Sequence, residues 1–184
     1  DDMPFLVDSV TMEVNRHGLT LHLIIHPLVA VERGADGLLR GLASETGASP
    51  DAHRESFIHV EVDRVPEPAR MEALAAELER VLDDVRQAVA DFKPMRERVL
   101  AIVQGLDDRA PPIPPQELAE GQAFLRWLAD DHFTFLGYRS HELAKVDGED
   151  VLKIVPGSSL GILRDAPAPA ANAAFAALPP EIRA

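Results

Sequence analysis

Cysteine is absent from the 184 residues of this chain. Its absence excludes disulfide frameworks, thiolate zinc sites and cysteine nucleophiles, and it fits a reducing compartment. Long hydrophobic runs are also missing, since no apolar stretch approaches the roughly 20 residues that a membrane span needs. The first residues, Asp1 and Asp2, are the opposite of the basic start of a signal peptide. We therefore expect a cytoplasmic protein that does not associate with membranes.

Positive charge is scarce, with 18 basic against 31 acidic residues and a formal net charge of -13. A field of this sign repels phosphate backbones and anionic membrane surfaces, so nucleic acid is not an expected partner. The hydrophobic fraction of 46% is enough for one domain with a core or two small ones. The chain has no starting Met, and residues 179–184 end it in mid-composition. We therefore expect a segment of a longer polypeptide.

The first part of the chain changes from a helical to a strand periodicity. Apolar residues three and four apart, after an acidic and proline-containing start, predict a helix over Met3–His17 that ends at a left-handed Gly18. A period of two then predicts one strand over residues 19–32, which is at an edge or bulged at Pro27. A second strand is predicted over residues 56–65, and the two strands can pair antiparallel.

Between these strands, residues 34–54 contain four glycines and predict a long loop with a short helical turn at 38–43. After the second strand, an apolar stripe predicts a long amphipathic helix. The stripe is formed by Met71, Leu74, Leu78, Val81, Leu82, Val85, Val89 and Phe92. Pro94 lies within this pattern, so we expect a break or kink near Lys93 and a second helix over Met95–Leu106.

Four prolines in residues 110–115 predict a stiff linker that separates the two parts of the chain. After it, the patterns predict a helix over Gln116–Asp130, a strand over His132–Leu143 and a returning strand over Val151–Val155 that completes a hairpin. The Ala- and Pro-rich end predicts a loose arm or the start of a helix. The predicted domains are residues 1–109, 110–165 and 166–184.

Seven histidines suggest a metal site, but their spacing does not support one. His22 and His26 are four residues apart, which on a strand separates them by about 13 Å, so both rings cannot bind one metal. His59 on the neighbouring strand can meet only one of them. The pattern favours exposed histidines, which also suit a subunit interface, and no metal ligand is predicted.

Three other features are weak signs of chemistry. His132 follows Asp130 and Asp131, but neighbouring side chains diverge at a helix-to-strand junction, so a turn is favoured over a hydrolase site. Residues 157–161, rich in glycine and serine, predict a structural turn rather than an anion nest, because no lysine follows in a P-loop pattern. Trp127 is interpreted as a core residue. The sequence therefore predicts no catalytic residue.

Three segments are more specific than these general patterns. Residues 2–10, DMPFLVDSV, and residues 124–139, FLRWLADDHFTFLGYR, closely resemble the N-terminal region of the large bacterial NAD-dependent glutamate dehydrogenases. Residues 159–164, SLGILR, are similar to it as well. The resemblance covers most of the chain, from Asp2 to Arg164.

In that family, the N-terminal half looks like a series of ACT-type modules with helical segments, while the glutamate and NAD sites lie in a distant C-terminal domain. The resemblance implies a cytoplasmic, oligomeric parent enzyme that oxidises glutamate to 2-oxoglutarate and ammonia with NAD. It implies that this chain itself holds no cofactor. Other copies of the chain, the remaining domains of the parent enzyme and an amino-acid effector are the implied partners.

The ACT module has the order βαββαβ, and the predicted helix, strand, strand and helix match this order without its first strand. The expected fold class is thus α+β, with helices on one face of an antiparallel sheet, followed by a helical segment and a C-terminal β-hairpin. In this fold the missing strand lies centrally. Either the hairpin over His132–Val155 takes its place, or another copy pairs with the exposed edge.

ACT modules that bind amino acids often have a D-x-P-G-L turn at the start of the first helix, where N–H groups receive a carboxylate. The segment Asp2-Met3-Pro4-Phe5-Leu6 matches this pattern except at Phe5, which replaces the glycine that permits close approach. The resemblance implies either an effector site at these five residues or an element of assembly. The bulk of Phe5 favours assembly.

Overall fold

The computed structural model describes residues 2–43, 53–146 and 149–166. Predictions for the loop at 44–52, the hairpin turn at 147–148 and the tail from 167 lie outside these ranges. The chain forms two compact units, residues 1–86 (unit 1) and 87–184 (unit 2). The predicted division into domains at 109/110 stays a prediction. No helix in the described ranges is long and apolar enough to cross a membrane.

Unit 1 begins with helix α1, Leu6–Arg16. Every fourth residue along one face of this helix is apolar and buried, namely Leu6, Val10 and Val14. The predicted stop is confirmed, since Gly18 has a φ of 66°, a left-handed conformation that glycine adopts without a steric cost. The helix starts later than predicted, because Pro4 and Phe5 form a turn before it and no side chain caps its first turn.

The single strand predicted over residues 19–32 is in fact two strands, β1 (Leu21–Ile25) and β2 (Leu28–Arg33). Pro27 lies between them and has no N–H to donate to a neighbouring strand. Its carbonyl accepts the N–H of Phe57 at 3.1 Å. The chain therefore changes its pairing partner at this proline.

The region of the second predicted strand is also divided into two strands. After β3 (Leu39–Leu42) come β4 (His53–Ser56) and β5 (His59–Val62). The predicted antiparallel pairing is confirmed, because β1 pairs with β5 and β2 with β4. The predicted helical turn at 38–43 is wrong. Gly37, with a φ of 75°, turns the chain back so that β3 pairs with β2 as the arm of a hairpin.

The strands of unit 1 form a two-stranded sheet, β1–β5, and a three-stranded sheet in the order β3–β2–β4. Among the described residues of unit 1, β1 and β5 have no third strand beside them. Which segment takes the place of the first strand, the hairpin over His132–Val155 or another copy of the chain, stays a prediction. Leu23 and Ile25 of β1 remain 40% and 48% exposed.

Helix α2 spans Pro68–Asp108 without interruption, so the predicted division into two helices at Pro94 is wrong. A proline inside a helix removes one hydrogen bond and crowds the preceding turn. Here the residues around it are buried, and packing of one face supplies most of a helix's stability. The buried residues in the second half of α2 are Ala88, Asp91, Met95, Val99 and Val103.

Unit 2 continues with helix α3 (Pro115–Trp127), which confirms the predicted helix after the linker. It leads into a wide helical turn, Leu128–His132, in which Asp131 has a φ of 55°. The strand predicted over His132–Leu143 is wrong in its first part. Strand structure begins only at β6 (Gly137–Tyr138).

Two pairs of strands complete unit 2. The predicted hairpin is confirmed as β7 (His141–Val146) paired antiparallel with β8 (Glu149–Ile154). Strand β6 pairs instead with the short strand β9 (Leu160–Gly161). This pairing places Gly137 directly opposite Gly161, and these two residues are termed the glycine pair.

The glycine pair leaves no room for a side chain. A Cβ atom at Gly161 would lie 2.2 Å from the carbonyl oxygen of Leu136, and the φ of Gly161 is 59°. A Cβ atom at Gly137 would lie 2.8 Å from the Cγ atom of Leu163. Both segments that contain these glycines belong to the motifs of the family resemblance, so steric necessity accounts for part of those motifs.

Asp91 of α2 holds the glycine pair from the helix side. The N–H of Gly161 donates to its Oδ2 atom at 2.7 Å, and Arg164 donates to its Oδ1 atom. Burial raises the pKa of the Asp91 carboxyl, but the Gly161 N–H and the Arg164 guanidinium outweigh burial, so the pKa lies below its ordinary value. This carboxylate is thus fully paired within unit 2.

Candidate binding site at the start of the first helix

The turn before α1 holds an unusual backbone conformation. Phe5 has a φ of 71° and a ψ of 1°, which is the left-handed region. For a residue with a Cβ atom this conformation costs about 1–2 kcal/mol. Its carbonyl accepts the N–H of Ser9 at 3.0 Å, so the first helical hydrogen bond forms. Phe5 therefore takes a backbone conformation that favours glycine, with its own side chain 47% exposed.

A cleft of about 340 Å³ lies beside this turn and is termed the unit 1 cleft. Its lining comes from the chain start and α1, from β4 and β5 with the residues between them, and from the first half of α2. The lining residues are Met3, Leu6, Val10, Ser56, Ile58, Val60, Leu78, Leu82 and Arg86. Of the five residues predicted to bind an effector, Met3 and Leu6 reach the cleft. Asp2, Pro4 and Phe5 do not line it.

The polar groups of the unit 1 cleft are already engaged. The Ser56 hydroxyl is hydrogen bonded to His26, and the Arg86 guanidinium donates to Asp83 at 2.8 Å. The remaining lining is aliphatic or thioether. The cleft is therefore suited to an apolar side chain. A carboxylate would find only two positive groups, the N-terminal end of α1 and Arg86, and the negative charge of Asp8 in the first turn of α1 would repel it.

Three histidines of unit 1, namely His22, His26 and His59, each contact a different residue. His22 lies 2.8 Å from Asp63, His26 contacts Ser56, and His59 lies 3.4 Å from Glu61. These contacts are consistent with the predicted divergence of the rings. Among the described residues, no group of three or more His, Asp or Glu side chains lies close enough to hold a metal ion.

Asp63 connects the ends of β1 and β5. Its carboxylate accepts a hydrogen bond from the backbone N–H of Thr20 at 2.8 Å and lies 2.8 Å from the His22 ring. The hydrogen bonds from Thr20, followed by the one from His22, lower the pKa of Asp63 to about 2. This contact is structural, because the group is fully used in fastening the two strands.

The candidate residues predicted in unit 2 have structural roles. The His132 ring lies 3.1 Å from the carbonyl of Trp127, across the wide helical turn, as a turn residue would. In segment 157–161, the Ser159 hydroxyl accepts a hydrogen bond from Arg139 at 3.0 Å, and Ser158 bonds the backbone of Ser140. The segment is thus a turn at its start, as predicted, and continues into the short strand β9.

Trp127 is not a core residue, and that prediction is wrong. It is 48% exposed. Its ring stacks on Phe124 at 6.1 Å between ring centres and on His132 at 4.9 Å.

A second cleft, which no sequence pattern indicated as a site, lies within unit 2. This unit 2 cleft has a volume of about 310 Å³ and is lined by Arg96, Leu100, Arg126, Trp127, Ala129 and Asp130. The only signal in the sequence is the spacing of Arg126 and Asp130, four residues apart around a helical turn. Arg96 is 30 residues away in the chain, so no local pattern could have included it.

Comparisons with known proteins agree on one family. Residues 1–78 match the family model for the glutamate dehydrogenase ACT1 domain. The chain is 42% identical over 165 residues, 89% of its length, to the NAD-specific glutamate dehydrogenase of Halomonas elongata. It is 38% identical over 148 residues to that of Pseudomonas aeruginosa and 31% identical over 170 residues to that of Mycobacterium tuberculosis, matches that cover 80% and 86% of this chain. The chain spans 9–10% of the length of these relatives.

Proposed function

Residues 1–78 belong to the glutamate dehydrogenase ACT1 domain family, and from this premise we propose that the chain is a regulatory and assembly region of an NAD-specific glutamate dehydrogenase. The parent enzyme would oxidise L-glutamate to 2-oxoglutarate and ammonia with NAD, in a domain outside these residues. The chain itself contributes no catalytic residue and no contact to NAD. The ACT1 match is the observation that carries this proposal.

The described contacts support a role in assembly. The unit 1 cleft is apolar, and its two polar side chains are paired within the unit. Leu23 and Ile25 of β1 expose further apolar surface on the same unit. Surface of this kind is usually covered by another protein segment. Because the chain spans about a tenth of its relatives, the other domains of the polypeptide are the partners of the cleft, and self-association involves the exposed sheet edge.

A second role, as an amino-acid-sensing module, is favoured by the backbone of Phe5. Its φ of 71° reproduces the left-handed turn that a glycine would form at this position. An amino-acid carboxylate would then be received by the free N–H groups of the first turn of α1, with Asp2, Met3, Pro4, Phe5 and Leu6 around it. The parent enzyme is cytoplasmic in either role.

The experiment that tests the assembly role uses the purified 184-residue chain. We expect folded chain, verified by circular dichroism, to produce no NADH from glutamate and NAD, and to self-associate in sedimentation velocity. The sensing role is tested in parallel by thermal unfolding, because a ligand that binds only the folded state raises the melting temperature. NADH production by the chain alone would contradict the proposal, and a strictly monomeric chain without any amino-acid shift would contradict both roles.

A further inference from the structure

The unit 2 cleft combines charges of both signs with unused hydrogen-bonding capacity. Arg96 and Arg126 bring two guanidinium groups to it, and Asp130 brings one carboxylate. Leu100, Trp127 and Ala129 form its apolar wall. The lining residues alone therefore carry one more positive than negative charge, in a chain whose net charge is -13.

The guanidinium of Arg96 is fixed in place but not neutralised. Its Nε atom donates to the carbonyl of Ala129 at 2.5 Å. Within the described ranges of the chain, its two terminal nitrogens have no hydrogen-bond or ion-pair partner. A guanidinium held through Nε presents its terminal N–H groups side by side, in the geometry that suits a carboxylate.

Arg126 and Asp130 are also incompletely paired. The Nη2 atom of Arg126 lies 3.5 Å from Asp107, whose other oxygen already accepts the amide of Gln122 at 2.8 Å. In the part of the chain that the structure describes, the Asp130 carboxylate has no partner. The wide turn holds Asp130 and Asp131 away from helical dihedrals, with a φ of 55° at Asp131. Such strain is common where a turn positions a functional side chain.

Two rings of the chain already stack on Trp127 and compete with any ligand that would stack there. Phe124 lies against one region of the indole at an interplanar angle of 15°, and His132 stacks on it at 22°. A nucleobase or nicotinamide would have to displace one of these rings in order to stack on the indole in its place. The wall is instead suited to the methylene groups of a small aliphatic ligand.

We propose that the unit 2 cleft binds an α-amino dicarboxylic acid. The two carboxylates of such a ligand would pair with Arg96 and Arg126, and its ammonium group would pair with Asp130. In this arrangement each charged side chain of the cleft lining faces a ligand group of opposite charge. The inference adds a ligand class to the proposed regulatory function. Binding itself does not depend on that function, but its physiological meaning rests on it.

Trp127 is the single tryptophan of the chain and lines the cleft, so its fluorescence reports on binding directly. Titration of the 184-residue chain with L-glutamate and with L-aspartate should give a saturable change with at least one of them. 2-Oxoglutarate lacks the ammonium group and L-glutamine lacks one carboxylate, so both should bind about tenfold more weakly or worse. Inorganic phosphate should give no saturable change.

Variants locate the site. Arg126→Gln should weaken binding about tenfold or more, because Arg126 is exposed and its loss leaves one carboxylate unpaired. Arg96→Lys retains the charge but not the paired N–H groups and should weaken it less. Arg98→Gln, on the same helix as Arg96 but outside the cleft lining, is the matched control and should bind like the unaltered chain. Circular dichroism verifies that each variant is folded.

Several outcomes would overturn the inference. These are no saturable fluorescence change with either amino acid at tens of millimolar, equal affinity for 2-oxoglutarate, or full binding by folded Arg126→Gln. A rise in melting temperature that persists in Arg126→Gln without any fluorescence change would instead place binding at the start of α1. Failure of this inference leaves the proposed function intact if the chain still self-associates, so the two are distinguishable.

Discussion

Two left-handed turns in this chain, one in each unit, have similar φ angles but differ in the packing and hydrogen bonding around them. Gly161 has a φ of 59° and Phe5 a φ of 71°. At Gly161 the backbone of Leu136 fills the space of a side chain, and the N–H reaches the buried carboxylate of Asp91. At Phe5 a large side chain is present, nearly half exposed, beside an open cleft.

The difference separates a structural turn from a candidate binding turn. Where a strained backbone is enclosed and its hydrogen bonds are satisfied internally, glycine is required by space and the segment supports the fold. Where the strain is borne by a residue with a side chain and adjoins an open cleft, the segment is a candidate for a functional role. The same contrast applies to Asp91, which is fully paired, and Asp130, which has no partner among the described residues.

The largest effect is expected for Gly161→Ala. The new Cβ atom would lie 2.2 Å from a backbone oxygen, and the left-handed φ adds its own cost, so the free energy of unfolding should fall by about 3 kcal/mol or more. Urea denaturation monitored by Trp127 fluorescence measures this. Gly105→Ala, in helix α2 with open space around it, is the control and should raise stability by about 0.5–1 kcal/mol. A Gly161→Ala chain as stable as the control would refute the steric role of the glycine pair.

Asp91→Ala should be the next most damaging change. It leaves the N–H of Gly161 without an acceptor and Arg164 without its carboxylate, at a cost of about 2–3 kcal/mol. Asp84→Ala on the same helix removes an exposed pair with Arg80 and should cost less than about 0.5 kcal/mol. Equal losses of denaturation midpoint for the two variants would show that Asp91 is not a structural anchor.

A smaller effect on stability is expected at Phe5, where glycine should be more stabilising than alanine. Phe5→Gly and Phe5→Ala both remove the ring and differ only in a Cβ atom. Because the φ is 71°, the glycine variant should be the more stable of the two by about 1 kcal/mol. At an ordinary helical position such as Gly105, alanine is the more stable residue. Thermal unfolding of the pair measures the difference, and an alanine variant that is the more stable at position 5 would argue against the left-handed turn.

The smallest effect concerns the dependence of stability on pH. Asp63 has its pKa lowered from 3.8 to about 2 by Thr20 and His22. Its contribution to stability is therefore complete above about pH 4 and is lost as the pH falls through about 2. Asp63→Asn should flatten the acid limb of the stability curve between these values, as measured by urea midpoints at successive pH values. If stability depends on pH in the same way in the variant and the unaltered chain, Asp63 is not the titrating group.

Local signals in the sequence predicted much of the fold. Gly18 ended α1 as expected, because a left-handed stop is encoded by one residue and its neighbours. The antiparallel pairing in unit 1 and the hairpin of β7 and β8 followed from period-two patterns. Pro27 and Pro94 were misjudged in opposite directions, since one divided a strand completely and the other left a helix intact. Packing, which a single sequence does not specify, decided both.

Non-local contacts could not be predicted. Asp91 meets Gly161 across 70 positions of sequence, and Arg96 meets Ala129 across 33. No periodicity relates such residues. Neither the hydrogen bond from the glycine pair to Asp91 nor the unit 2 cleft could therefore be predicted from the sequence. The turn at residues 2–6 was found in the sequence because its signal is a contiguous motif. The cleft that adjoins it was not, because Val60 and Leu78 come from other elements.

The most direct test of the proposed assembly role uses the longer polypeptide that we propose to be a glutamate dehydrogenase, with Leu78→Gln in the unit 1 cleft. Met71→Gln, on the same helix but 57% exposed and outside the cleft, is its control. Gel filtration with light scattering, with NADH production assayed across the eluted peak, is the measurement. We predict a reduced subunit number for Leu78→Gln alone, with turnover per assembled enzyme retained. An unchanged subunit number together with lost turnover would contradict the account.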